Sequence, residues 1–145
     1  MKILEEAMRA AIEIARNHKT PFGAALVNEE NEVIMTAANT ADRDGPLAHA
    51  EMNLLAKAQK ECTNLEGHIL YSTCEPCPMC MSAIIWADIS SVVFGATISD
   101  AKEFIPQIDV SAETIADNWE PRISIQKEFL RGPCVELFVE FAPQH

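Results

Sequence analysis

Apolar positions along the chain switch between a helical and an alternating or continuous period. Lys2 to His18 carries Ile3, Leu4, Ala7, Met8, Ala11, Ile12, Ile14 and Ala15 at helical spacing, and Pro21 and Gly23 end it. Ala24–Asn28 and Glu32–Ala38 read as two strands around the polar turn Glu29-Glu30-Asn31. Asn39–Pro46 is polar, contains Gly45 and reads as a loop. Leu47–Lys60 is helical, with Met52, Leu54, Leu55 and Ala58 on its packed side. His68–Ser72 is a short apolar strand, Cys77–Ala87 a helix after the break at Pro76 and Pro78, and Ser91–Ala96 a buried strand. Ser111–Trp119 reads as a helix and Ile123–Phe129 as a strand. A last helix runs through Phe141 with Pro133 in its first turn, where a missing N–H costs least. Helices alternating with short strands predict a three-layer α/β/α sandwich with a five-stranded sheet. The opening hairpin makes that sheet mixed.

The chain has 145 residues, near the length of one typical domain, and one domain spanning 1–145 is expected. Hydrophobic residues at 48% exclude a disordered chain, which lacks the apolar surface to offset its entropy. No apolar run reaches the roughly 18 residues of a membrane-spanning helix. Met1–Arg9 is charged and amphipathic, without the apolar core of a secretory signal, so a cytoplasmic protein is expected. The net charge is −11, and acid outnumbers base in both halves. Phosphate backbones are held by Lys and Arg that displace counterions, so this balance disfavours a nucleic-acid partner. It is equally the balance of a merely well-solvated surface.

Five cysteines occur, and three of them, Cys74, Cys77 and Cys80, fall within seven residues. An odd number without an export signal argues against a disulfide framework and for metal chemistry. Cys77 and Cys80 offer two thiolates on one helical turn. His49 offers a neutral imidazole at the start of the preceding helix. One nitrogen and two sulfurs suit tetrahedral zinc with the fourth position left for water, the catalytic rather than the structural pattern. Glu51, two positions from His49, is then a carboxylate beside the metal, able to accept a proton from that water and pass it on. Two other arrangements remain open. A Cys74-Cys77-Cys80 iron–sulfur run lacks a fourth cysteine nearby. A closed structural zinc site using Cys74 gives no reason for Glu51. Taken singly, His49 is as readily a helix cap and Cys77/Cys80 a redox or structural pair. Together, with Cys77 26 residues after Glu51, they specify four roles at once.

The pattern is the signature of zinc-dependent base deaminases, and the chain resembles the cytidine deaminase-like superfamily. The resemblance rests on Pro21-Phe22-Gly23-Ala24, Ala48-His49-Ala50-Glu51, Tyr71 through Cys80, and Val93-Phe94-Gly95-Ala96. It implies one Zn2+ per subunit on His49, Cys77 and Cys80, with Glu51 as the proton carrier that releases ammonia. It also implies pairing into a homodimer. The stretch from Cys74 through Trp86-Ala87 is most similar to bacterial guanine deaminases, with transfer RNA adenosine deaminases next.

The resemblance also implies substrate contacts. Asn39 matches a base- or ribose-reading amide, against its ordinary role as a turn residue. Phe22 matches a ring that stacks on the base, against core packing. Trp86 matches a tryptophan of guanine deaminases, against helix core. Ala48 touches substrate by the same likeness. Guanine deaminases place an acidic residue after Ser99 against the base, which leaves Asp100, Glu103, Asp109 and Glu113 as candidates. The tail, Phe138–His145, is expected to close the site of its own or a partner subunit. The expectation is therefore hydrolytic deamination of a free nucleobase or nucleoside, with guanine or a related amino-substituted purine or pteridine ring favoured. A transfer RNA adenosine deaminase and a cytosine or cytidine deaminase are the alternatives.

Overall fold

A computed structural model describes residues 2–142. Its elements are α1 (Glu5–Asn17), β1 (Gly23–Val27), β2 (Val33–Ala38), α2 (Ala41–Asp44), α3 (Ala50–Glu61), β3 (Ile69–Cys74), α4 (Pro78–Trp86), β4 (Ser91–Ala96), α5 (Ile98–Lys102), α6 (Ala112–Asp117), β5 (Ser124–Gln126) and α7 (Arg131–Phe141). The sheet runs β2-β1-β3-β4-β5. β1 is antiparallel to both β2 and β3, while β3, β4 and β5 are parallel. The mixed five-stranded sheet expected from the hairpin is present.

Side-chain alternation splits the core into two layers. Ala24, Leu26, Leu70, Val92 and Phe94 face α3, α4 and α6 through Leu54, Met81, Ile84 and Ala116. Ala25, Val27, Tyr71 and Val93 face α1 and α7 through Met8, Ala11, Leu137 and Phe138. Burying each large side chain contributes about 1.5–3 kcal/mol, so the two faces together dominate stability. Tyr71 shows how the polar remainder is satisfied: its buried hydroxyl accepts from the Leu4 N–H at 2.8 Å, just ahead of α1. Among the described residues no helix is long and apolar enough to cross a membrane.

The differences from expectation are local. Asn39–Pro46 contains the four-residue α2, and α5 follows β4 directly. The expected Leu47–Lys60 helix starts three residues later, because Pro46 and Leu47 form a turn and His49 is extended. The expected strand Ile123–Phe129 shrinks to Ser124–Gln126. The first part of the tail belongs to α7; residues 143–145 lie outside the described residues.

Two hydrogen bonds make α5 a defined element. Thr97 Oγ1 accepts from the Asp100 N–H, and the Asp100 carboxylate accepts from the Thr97 N–H. The same carboxylate receives two N–H groups of Arg131 on α7. Arg131 beside it holds the Asp100 carboxyl well below the usual carboxylate range, and the Thr97 groups add to this. A lowered folded pKa means that this contribution is complete above the unfolded value near 4. It fades as pH falls through the folded one. Asp100→Asn is accordingly expected to cost about 1 kcal/mol, the worth of a helix cap, at pH 7. The gap in melting temperature from wild type should narrow in melts taken below about pH 4.

Candidate active site

The sheet edge that carries the ends of β2, β3 and β4 also carries the starts of α3 and α4. His49 is the N-cap of α3 and Cys77 the N-cap of α4, both in extended backbone. Pro78 opens α4 at a position where proline is already shaped for a helix. Cys80 lies one turn further, so the two cysteines share a face. His49 Nδ1 lies 3.7 Å from Cys77 Sγ and 3.5 Å from Cys80 Sγ. With zinc bonds of about 2.3 Å to sulfur and 2.05 Å to nitrogen, a tetrahedral S···N edge is about 3.6 Å. The donors are therefore spaced for zinc before any metal is placed among them. They are the group of potential metal ligands found among the described residues. Cys74 is not in that group, which favours three ligands over a closed four-ligand site or an iron–sulfur run.

Electrostatics favour the same use. The adjoining Cys80 thiol, then the His49 ring, hold the Cys77 thiol down at about 4. The Cys80 thiol is pushed up by its thiolate neighbour Cys77 and by burial. The pair thus keeps one proton between them, and that proton leaves when a metal is coordinated. The Cys77 sulfur beside His49 raises the ring's pKa; the Pro46 backbone, which has only a carbonyl to offer, acts in the same sense. Glu51, in the first turn of α3, is only 6% exposed. Burial raises its carboxyl to about 7, which suits a group that must both take and give a proton near neutral pH.

A cavity of about 260 Å³ opens onto these residues. Phe22 and Asn39 wall it on one side and Cys74 and Glu75 line it at the end of β3. Ile105, Pro106, Gln107 and Ile108, from the segment between α5 and α6, cover it. Asn39 Oδ1 accepts from the Ala41 N–H at 2.8 Å, so the residue makes a turn and also faces the cavity. The Phe22 ring packs edge-on against Phe138, combining core packing with a cavity face. The Phe22 loop is held by Thr73, whose hydroxyl donates to the Pro21 carbonyl and accepts from the Gly23 N–H. A larger hollow of about 440 Å³, lined in part by Asp88, Trp119 and Arg122, lies at the far end of the sheet, away from the donors.

Two expected contacts lie elsewhere. Trp86 is 73% exposed and packs on Trp119, not in the cavity. Six residues past Cys80, it is about 9 Å further along α4 and turned to another face. Ala48 adjoins His49 but is not in the wall; its carbonyl accepts from the Thr40 N–H. Nor does any of the four acidic candidates line the cavity. Asp100 pairs with Arg131, Asp109 with Lys102 and Glu113 with Lys127, while Glu103 caps the end of α5. Three residues unanticipated from sequence matter here. Asn53 Nδ2 donates to the carbonyls of Ala38 and Ala48 and to Thr40 Oγ1, tying the Asn39 loop to the His49 loop. Glu75 and Gln107 complete the wall.

Residues 1–96 match the cytidine and deoxycytidylate deaminase zinc-binding region. The chain is 40% identical to guanine deaminase of Bacillus subtilis (strain 168) over 85 residues, 57% of this chain and 54% of that protein. It is 32% identical over 140 residues to the tRNA-specific adenosine deaminase of Buchnera aphidicola subsp. Schizaphis graminum, covering 93% of this chain and 88% of that one. The solved guanine deaminase from Nitrosomonas europaea superposes with a TM-score of 0.85 at 24% identity, over 97% of this chain and 85% of that one, which supports the fold. The chain therefore belongs to the cytidine deaminase-like superfamily, as a zinc-dependent deaminase that hydrolyses C–N bonds.

Proposed function

We propose that the substrate is a free amino-substituted purine base or its nucleoside, with guanine the first candidate. The observation that carries this reading is the cavity wall, which holds no lysine or arginine among the described residues. Nothing in it neutralises a phosphate, and the net charge of −11 repels one. In this reading His49, Cys77 and Cys80 hold zinc, which supplies water made acidic enough to attack near neutral pH. Glu51 would take one proton from the attacking water and hand it to the ring nitrogen, then take the second from the hydroxyl that water has left on the ring carbon and give it to the amine, so that the C–N bond breaks, ammonia leaves and a carbonyl forms. Phe22 offers its ring face to the base, and Asn39, its Oδ1 engaged, keeps Nδ2 for the substrate. Gln107 Nε2 donates to the Ile105 carbonyl at 3.5 Å, which leaves Oε1 to accept from N–H groups of the base. In this reading the Gln107 carbonyl takes the acceptor role that the resemblance gives to a carboxylate. The exposed Trp86 and Trp119 give a surface on which two copies can pair.

The nearly whole-chain likeness to tRNA-specific adenosine deaminases favours a second reading, adenosine within RNA. An ammonia-release screen of the zinc-loaded protein separates the two. Guanine or guanosine should be turned over, GMP at least about tenfold less efficiently for want of a phosphate partner, and an anticodon-hairpin RNA not at all. Turnover confined to the hairpin would replace the first reading with the second.

A further inference from the structure

Glu75 is a carboxylate that neither the zinc donors nor the proton path uses. It sits between Cys74 and Pro76 at the cavity wall, 9% exposed, and its own N–H continues the sheet to the Ala96 carbonyl at 2.8 Å. Its two carboxylate oxygens go to two different places. Oε1 accepts from the Ile98 N–H at 2.9 Å and Oε2 from the Ala112 N–H at 2.9 Å. These are the first amides of α5 and α6, which an isolated helix leaves without partners. Between those helices runs the segment 103–111, which carries Ile105, Pro106, Gln107 and Ile108 over the cavity. Across that segment Lys102 Nζ meets Asp109 Oδ2 at 2.8 Å in an exposed pair of little energetic weight. The buried carboxylate is the firmer clamp, because charge-assisted hydrogen bonds out of water are the strong ones.

We propose that Glu75 is a positioning residue: it pins both ends of the 103–111 strap and so holds Gln107 against the substrate, setting affinity and selectivity rather than the rate of the chemical step. The inference rests on the reading of this cavity as the base pocket. Glu75 lies on the metal side of the strap, so one side chain links the order of the zinc end to the order of the cover.

Glu75→Gln tests this, because an amide has one carbonyl and one NH2. One helix start then loses its acceptor and meets a donor. The variant should bind zinc as wild type does. KM for the base should rise on the order of tenfold, the worth of one such hydrogen bond, while kcat changes less. Amide exchange within 103–111 should quicken. Gln107→Ala should raise KM alone, and adding Glu75→Gln to it should raise KM little further, since both changes act through one contact. Ala112→Pro replaces the N–H bonded to Oε2 with a ring carbon, at a buried helix position whose backbone suits proline, and should give the same exchange and KM pattern if Glu75→Gln does not fold. Zinc loss in Glu75→Gln, a lowered kcat at unchanged KM, strictly multiplicative effects with Gln107→Ala, or unaltered strap exchange in both variants would overturn the proposal. If wild type released ammonia from no base, the pocket reading would fail, while the zinc and exchange measurements would still decide the clamp.

Discussion

Glu51→Gln is expected to lower kcat for ammonia release by a factor on the order of 10³–10⁴, with zinc content and melting temperature close to wild type. The substitution keeps the size and shape of a side chain that is almost wholly buried, so the packing around it is preserved. It leaves His49, Cys77 and Cys80 untouched. What it removes is the one group beside the donors that changes protonation near neutral pH, its carboxyl being lifted to about 7 chiefly by burial. Deamination moves a proton to the ring and another to the leaving amine. An amide can orient water, but it cannot take a proton from it and deliver that proton to either station. Cys74 and Glu75, the other ionisable neighbours in the wall, are poor substitutes. Burial pushes the Cys74 thiol up, and both Glu75 oxygens are committed to helix amides. Zinc quantification beside steady-state kinetics on the variant checks the point. A kcat within threefold of wild type would remove Glu51 from the proton path.

What could be read in advance follows the range of the interactions. His49, Glu51, Cys77 and Cys80 act through spacings of two and three residues at helix starts, and such spacings are written in one dimension. The two-faced strands were equally plain, since Ala24/Leu26 against Ala25/Val27 is local alternation with both faces apolar. Asp100, Asp109 and Glu113 show the opposite case. Each was a candidate for the cavity by its charge alone, yet each is claimed by a cation 7 to 31 residues away. Asn53 lies in no motif, and Glu75 lies inside the Tyr71–Cys80 run without a role that the run reveals: their importance lies in amides and carbonyls brought near by the fold. The short helices α2 and α5 were hidden for the same reason. Four or five residues hold little propensity of their own, and α5 exists through the Thr97–Asp100 exchange of hydrogen bonds and the carboxylate of Glu75. Trp86, matched by motif alone, sits on a helix face that turns away from this cavity, which spacing along the chain does not reveal.

Stripping the metal, or replacing Cys80 by alanine, is expected to abolish turnover and to loosen the fold as well. The donors sit at the first residues of α3 and α4, which pack on one face of the sheet with Leu54, Met81 and Ile84 behind them. A cation held by one imidazole and two thiolates joins two helix starts that are 28 residues apart along the chain. Binding to the folded state alone contributes about 4 kcal/mol when free zinc exceeds its dissociation constant a thousandfold. For a chain of 145 residues this amounts to roughly 10–15 °C in melting temperature. Chelation should therefore lower the melting temperature by about that much and silence ammonia release, and added zinc should restore both. Cys74→Ala supplies the contrast. Its thiol is buried at the cavity wall but outside the donor group, so the variant should lose about 1 kcal/mol of packing and still bind one zinc. Zinc lost on Cys74→Ala would make the site a closed four-ligand one, with no position left for water, and the carboxyl of Glu51 would then stand beside a metal that does no chemistry.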